Sequence, residues 1–212
     1  MGIAERRERE REQVRTLIVE AARDILSAEG LEALSMRAIA ERIEYSPATI
    51  YLYFKDKDEL IREVVQQGMD RMSRAAQAEV FAAGPEASAL EQYAAMGRAY
   101  ARFAIDNPAY FRVMFELPAT AEFECPEPEE DGAGNGDGFA NVVAAIERAM
   151  AEGSVAPGDA HRTALIGWGL IHGLTSLYLA GHLRDSVTDH EAFMTLVDDA
   201  MRSVHGGWEQ PA

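Results

Sequence analysis

Between Ser35 and Lys57 the chain gathers side chains suited to gripping an anion and reading a polar edge. They are Ser35, Arg37, Ser46, Thr49, Tyr51, Tyr53 and Lys57, with a small Ala48 among them. Hydroxyls and phenols can donate to phosphate oxygens, while a guanidinium or ammonium adds charge. Ala48 permits close approach to a base, and Thr49 offers both a hydrogen bond and a methyl contact. In the run Ser46-Pro47-Ala48-Thr49-Ile50-Tyr51-Leu52-Tyr53-Phe54, Ile50 and Phe54 are four apart and mark the buried side. Ala48, Thr49, Tyr51 and Tyr53 are therefore expected to point outward. Lys57 falls in the first turn of the next helix, where its ammonium and the free backbone N–H groups can meet one phosphate. On spacing alone, a small helix with surface tyrosines remains an open alternative.

A second group is apolar with one polar member. Trp168 and His172 are four apart and share a helix face, and Tyr100, Phe103, Phe111, Met114 and Phe115 are soft or aromatic. They could wall a ligand pocket with His172 as its polar anchor. The alternative is core packing, with His172 bonded to an internal acceptor. Gly169 and Gly173 lower the stability of the same helix, which a close helix contact would explain.

Catalytic and metal chemistry find little support. The five histidines are scattered, with neither H-E-x-x-H nor a Cys/His cluster, and no serine sits in G-x-S-x-G. Asp131, Asn135 and Asp137 are spaced like a calcium loop, but Ala133 and Val142 fall where ligands are needed. Cys125 has no basic neighbour to lower its pKa and reads as a bystander. No enzyme activity, metal or cofactor is expected.

The elements that would position these groups are helices. Ala, Leu, Glu and Arg are abundant and β-branched runs scarce, so the expected class is all-α with about nine helices. Val14, Leu17, Ile18, Ala21, Ala22, Ile25 and Leu26 follow helical spacing up to Gly30. Before them the run Glu5–Glu12, ERRERERE, reads either as a solvated helix end or as an arm meeting DNA through Arg6, Arg7, Arg9 or Arg11. Ser35 is expected to cap a second helix and Ser46 a third, from Pro47 to about Tyr53. Asp56 with Glu59, Ser88 with Glu91 and Thr188 with Glu191 have capping-box spacing. The eighth helix, roughly His161 to Ala180, is apolar nearly all round and should be buried on most sides. Residues 118–138, acidic and rich in Pro and Gly, are expected to form a mobile loop.

Net charge is −16, which argues at first against a nucleic-acid partner. Its distribution softens the argument: residues 1–65 hold 11 Lys/Arg and 14 Asp/Glu (11 − 14 = −3), leaving 9 − 22 = −13 for the remainder. A head near neutrality can bind phosphate through a local surface, while the acidic body weakens non-specific binding. No apolar run is long enough to span a bilayer, the N-terminus lacks the apolar core of a secretory signal, and one cysteine makes no disulfide. A cytoplasmic protein is expected.

The run Ser35-Met36-Arg37-Ala38-Ile39-Ala40, followed by Ser46 to Leu60 with its Thr-Ile-Tyr-x-Tyr-Phe-x-x-Lys-x-x-Leu pattern, resembles the DNA-binding domain of TetR-family transcriptional regulators. Trp168-Gly169-Leu170-Ile171-His172-Gly173 and Asn107-Pro108-x-Tyr110-Phe111-x-x-Met114-Phe115 resemble the Trp…His-Gly ligand-domain subgroup of that family. The resemblance implies a three-helix helix-turn-helix head over residues 1–62 and a larger helical ligand-binding and dimerisation domain over 63–212. By motif position it implies phosphate contacts for Ser35, Tyr51, Tyr53 and Lys57, and base contacts for Arg37, Ala48 and Thr49. It implies a homodimer, for which the last two helices are the expected interface, on a near-palindromic double-stranded DNA operator. A largely apolar small-molecule effector would release it. A ligand-binding or adaptor module without DNA binding is the alternative. In one departure, Glu44 stands in the turn where many family members have glycine. A positive φ there would strain the backbone by about 1 kcal/mol.

Overall fold

The computed structural model describes residues 2–115 and 138–208. The expectations for residues 118–137, Cys125 and the rejected calcium loop lie outside them. Among the described residues all regular structure is helical. The order is α1 (Ile3–Glu29), a 3-10 turn (Leu31–Ala33), α2 (Met36–Arg42), α3 (Pro47–Ile50), α4 (Lys57–Ala83), α5 (Ala89–Asp106), α6 (Pro108–Phe115), α7 (Gly138–Ala151), α8 (Ala160–Leu179) and α9 (His190–Trp208).

Local chemistry sets most boundaries. The Ser35 hydroxyl accepts from the Ala38 N–H at 3.1 Å and that of Ser46 from the Thr49 N–H at 3.2 Å, so each opens its helix as a cap. Ser88 and Glu91 form both halves of a capping box at the start of α5. Two boundaries and one cap differ from expectation. α3 ends at Ile50, three residues early, because Leu52 and Tyr53 bond back only three residues, to Thr49 and Ile50. That tightening through an aromatic, β-branched run turns Phe54 into the core. At α4, Asp56 accepts from the Glu59 N–H at 2.8 Å, but the Glu59 carboxylate reaches back to the Lys55 N–H, one residue before the cap. At α9 the cap is Asp189 rather than Thr188: its carboxylate, a charged acceptor, takes the Ala192 N–H at 2.9 Å, and the Thr188 hydroxyl donates to Asp189 instead.

The chain forms two compact units. The first comprises α1 to α3, α4 as far as Met69, and α6 from Ala109 on. Ile18, Ile25, Leu26, Ile39, Ile50, Phe54, Leu60 and Val64 are buried in it. α6 contributes buried Tyr110, Phe111 and Val113. The Arg112 guanidinium donates to the Ser27 carbonyl at 2.6 Å, and that of Arg23 lies 5.1 Å from the centre of the Tyr110 ring. Gly68 of α4 faces Met114 so closely that a Cβ there would strike the thioether and oblige the methionine side chain to shift.

In the second unit α5 packs against α7, α8 and α9. Tyr93, Ile146, Ile171, Phe193, Val197 and Met201 form its buried cluster, with Tyr178 stacked on Phe193 at 4.1 Å between centroids. Thr175 is completely buried and its hydroxyl has no hydrogen-bond partner among the described residues. Thr175→Val keeps the shape and removes the orphaned group, so it should raise the unfolding free energy by about 1 kcal/mol. Urea denaturation reads this out; an unchanged or lower midpoint would mean that the hydroxyl is satisfied in solution.

α8 is less enclosed than its composition suggests. Leu165, Ile166, Trp168 and Leu177 are each 40–51% exposed, leaving an apolar stripe uncovered. A Cβ added at Gly169 or Gly173 would meet nothing within 4 Å among the described residues, so neither glycine serves a close contact with any of them. No described helix is long and apolar enough to cross a membrane.

Candidate nucleic-acid interface

The residues singled out between Ser35 and Lys57 fall on α2, α3 and the start of α4, all in the first unit. Ser35, Arg37, Ser46, Ala48, Tyr51 and Lys57 are exposed, while Thr49 and Tyr53 are half-buried. Tyr51 is 58% exposed, whereas Ile50 beside it is fully buried, which gives the outward and inward sides their expected order. The Ser35 and Ser46 oxygens accept backbone N–H groups as caps. Ser46 also shares a hydrogen bond with the Thr49 hydroxyl at 2.9 Å, so these two are oriented by each other. Leu52, 76% exposed, was not anticipated among the outward residues, and nor was Tyr45 at 42%. The available signal was that Leu52 lies off the Ile50–Phe54 stripe.

Charge on this surface is partly engaged. Arg37 pairs with Glu41 one turn on at 2.9 Å, and Arg42 with Glu29 at 2.8 Å. Both pairs are exposed and weak enough to exchange for a stronger anion. Lys57 forms no ion pair among the described residues, and Lys55 leans on Asp56 at 3.6 Å. The Asp56 carboxyl is held below its ordinary range, chiefly by the Glu59 N–H that it accepts. Behind the surface, Arg15 of α1 bonds Glu63 of α4 at 2.6 Å and covers the Phe54 ring at 5.2 Å from its centre. That hydrogen bond holds the Glu63 carboxyl below its usual range. The N-terminal part of α1, residues 4–13, is exposed, with Arg6 paired to Glu10 at 3.4 Å.

The turn between α2 and α3 carries the strain anticipated for it. Glu44 has φ of 60°, and no other non-glycine residue has positive φ among the described residues. Tyr45 N–H bonds the Ala40 carbonyl at 2.9 Å and Glu44 N–H that of Glu41 at 3.4 Å, the paired closure in which the residue past the helix end is left-handed. Glu44→Gly is expected to stabilise the fold by about 1 kcal/mol by removing the Cβ clash. A thermal melt that does not rise would show the strain to be relieved in solution.

The seven candidate pocket residues divide between the units. Phe111, Met114 and Phe115 belong to α6 in the first, with Phe111 and Phe115 rings 5.1 Å apart. Tyr100, Phe103, Trp168 and His172 belong to the second. Phe103 is buried. The other three form a cluster: the Tyr100 hydroxyl lies 2.7 Å from His172 Nδ1, and the Trp168 and His172 rings are 5.8 Å apart. Phe139 of α7 meets Trp168 edge-on at 6.1 Å. Burial pushes the Tyr100 phenol far up, so it keeps its proton. Among the described residues no group of His, Cys, Asp and Glu could hold a metal ion.

Comparison with known proteins agrees with these features. Residues 93–201 match the tetracyclin repressor-like C-terminal domain, and residues 18–64 match the bacterial regulatory proteins of the tetR family. The chain is 39% identical over 62 residues to the HTH-type transcriptional regulator UidR of Escherichia coli K12, which is 29% of this chain and 32% of that protein's length. A protein of unknown function from Rhodococcus sp. RHA1 superposes with a TM-score of 0.72 at 24% identity, covering 92% of this chain and 95% of the other. A TetR family transcription regulator from Marinobacter aquaeolei VT8 does so with 0.69 at 23% identity, covering 91% and 97%. At such identities the likeness is one of fold.

Proposed function

The chain belongs to the TetR family of bacterial transcriptional regulators, and from that premise we propose that it is a repressor that binds a near-palindromic operator and leaves it when a small molecule binds. DNA binding is assigned to residues 1–62, and regulation and dimerisation to 63–212. The observation that carries the reading is the capped α2–turn–α3 pair, with Tyr51 presented outward and Ile50 and Phe54 holding it from behind. Such a pair can place α3 in a major groove while Ser35, Tyr53 and Lys57 meet phosphates on its rim and Arg37, Ala48 and Thr49 approach bases. Two copies would read half-sites about 34 Å apart. Operation in the cytoplasm follows from this role.

The uncovered stripe of α8 supports dimerisation. Leu165, Ile166 and Leu177 with Gly169 and Gly173 offer a second copy an apolar face with room for close helix approach. Ile166→Glu is expected to convert the dimer to monomer in analytical ultracentrifugation and to lose operator binding with it. A dimer that survives would move the interface elsewhere.

The reading as a whole is tested by fluorescence anisotropy with duplexes from the region upstream of the chain's own gene, across a salt series. Nanomolar binding that falls steeply with salt and protects a two-fold site is expected. Absence of salt-dependent binding would instead favour an adaptor, the reading to which the net charge of −16 lends weight.

A further inference from the structure

Leu52 stands apart on the surface assigned to DNA. It is 76% exposed, more than any other leucine or isoleucine among the described residues. It lies just past α3, between Tyr51, which is 58% exposed, and the half-buried Tyr53. Local geometry holds it there. The Leu52 N–H bonds the Thr49 carbonyl at 3.1 Å, and the Tyr53 N–H bonds that of Ile50 at 3.0 Å. Bonding three residues back brings side chains three apart into line, so Leu52 follows Thr49 on the outer side. Ile50, fully buried, and Phe54, 2% exposed, anchor the inner side to either flank of it. Thr49 is itself half-buried, and its hydroxyl shares a hydrogen bond with that of Ser46 at 2.9 Å. Leu52 is therefore the more exposed member of that line, and its side chain is wholly apolar.

An apolar side chain has nothing to give a phosphate, and nothing for the hydrogen-bonding edges of the bases. The major groove displays one apolar group, the C5-methyl of thymine. We propose that Leu52 is a specificity-determining residue that reads this methyl, at one thymine in each half-site. The contact selects against cytosine, which lacks the methyl. Being uncharged, it adds selectivity without adding to the salt-dependent grip on phosphate that Lys57 supplies. This inference rests on the DNA-reading part of the proposed function and adds a residue to the three assigned there to bases.

The test starts from a random-sequence duplex pool enriched on the full chain, so no operator need be known beforehand. The enriched sites should share a thymine at one position in each half-site. Replacing that thymine with uracil removes the methyl and leaves the pairing edge unchanged. In fluorescence anisotropy the parent should lose about fourfold in affinity per half-site, the effect of taking one methyl out of water. For Leu52→Ala the same replacement should cost nothing, and the salt slope should equal the parent's. Leu52→Met, which keeps an apolar reach, should retain the uracil penalty. Any effect of uracil on the duplex itself is common to all variants and cancels between them. Leu52 is exposed, so both variants should melt as the parent does. A uracil penalty of equal size in the parent and in Leu52→Ala would assign the methyl to another residue, Thr49 foremost, and overturn the proposal. Enriched sites with no shared thymine, or with no uracil penalty, would overturn it too, and all these outcomes leave DNA binding standing. A pool that enriches no sequence would overturn the regulator reading, and this inference with it.

Discussion

Replacing Tyr51 and Lys57 together with alanine should weaken operator binding by about a hundredfold, roughly tenfold for each side chain withdrawn from its phosphate. Tyr51 is 58% exposed at the end of α3, and Lys57 opens α4 with no ion pair among the described residues, so neither side chain supports the core. The double variant should therefore melt as the parent does. The two effects are distinguishable. Lys57 displaces one counterion, so its removal should lower the log–log salt slope by about one, whereas Tyr51 contributes a neutral hydrogen bond and should leave the slope alone. Phosphates carry no sequence information, so affinity for unrelated duplexes should fall by the same factors. A weakening confined to the operator would reassign the pair to base reading. Undiminished binding would remove this surface from the interface altogether.

Phe54→Ala should be the most disruptive single substitution in the head, costing about 3–5 kcal/mol. The ring is 2% exposed, shares the buried side of α3 with Ile50, and carries the Arg15 guanidinium 5.2 Å from its centre. Removing it opens a cavity and takes away a cation–π interaction of about 0.5–1 kcal/mol. The Arg15–Glu63 pair remains to tie α1 to α4. With total stabilities of about 5–15 kcal/mol, this leaves the first unit marginal. Hydrogen exchange provides the readout: amides of α1 to α3 should become unprotected while those of α7 to α9 keep their protection. Uniform exchange across both units would mean that they unfold as one, and full protection would mean that Arg15 closes the gap.

Much of the head was legible because its determinants are local. Ser35 and Ser46 cap the residues next to them, Pro47 sets the first turn of α3, and Ile50 and Phe54 name the buried side through spacing alone. The strain at Glu44 could be anticipated only through the family resemblance, in which many members have glycine at this turn; the structure gives Glu44 the positive φ that such a glycine accommodates. Other features depend on groups far apart in sequence. The spacing of Trp168 and His172 was visible, but their partner Tyr100 lies 72 residues from the histidine. Periodicity gave α8 its apolar character without saying that part of it stays uncovered, since a helix apolar all round reads the same whether its last side is covered by its own chain or by another. Asp189 displaced Thr188 as a cap by a margin of one residue, which lies within the error of any boundary drawn from pattern.

The place of α6 bears on how such regulators could be recombined. It follows α5 in the chain yet lies in the first unit, where Arg112 holds Ser27 and Tyr110 stacks under Arg23. A chimera made by splicing residues 1–62 onto the body of another family member would leave these complements behind and expose the apolar surface that Tyr110, Phe111 and Val113 cover. To transplant operator preference intact, the graft needs two pieces, the N-terminal segment and a matched α6. A one-piece chimera that melts as high as the parent would show that a foreign α6 can fill the same space.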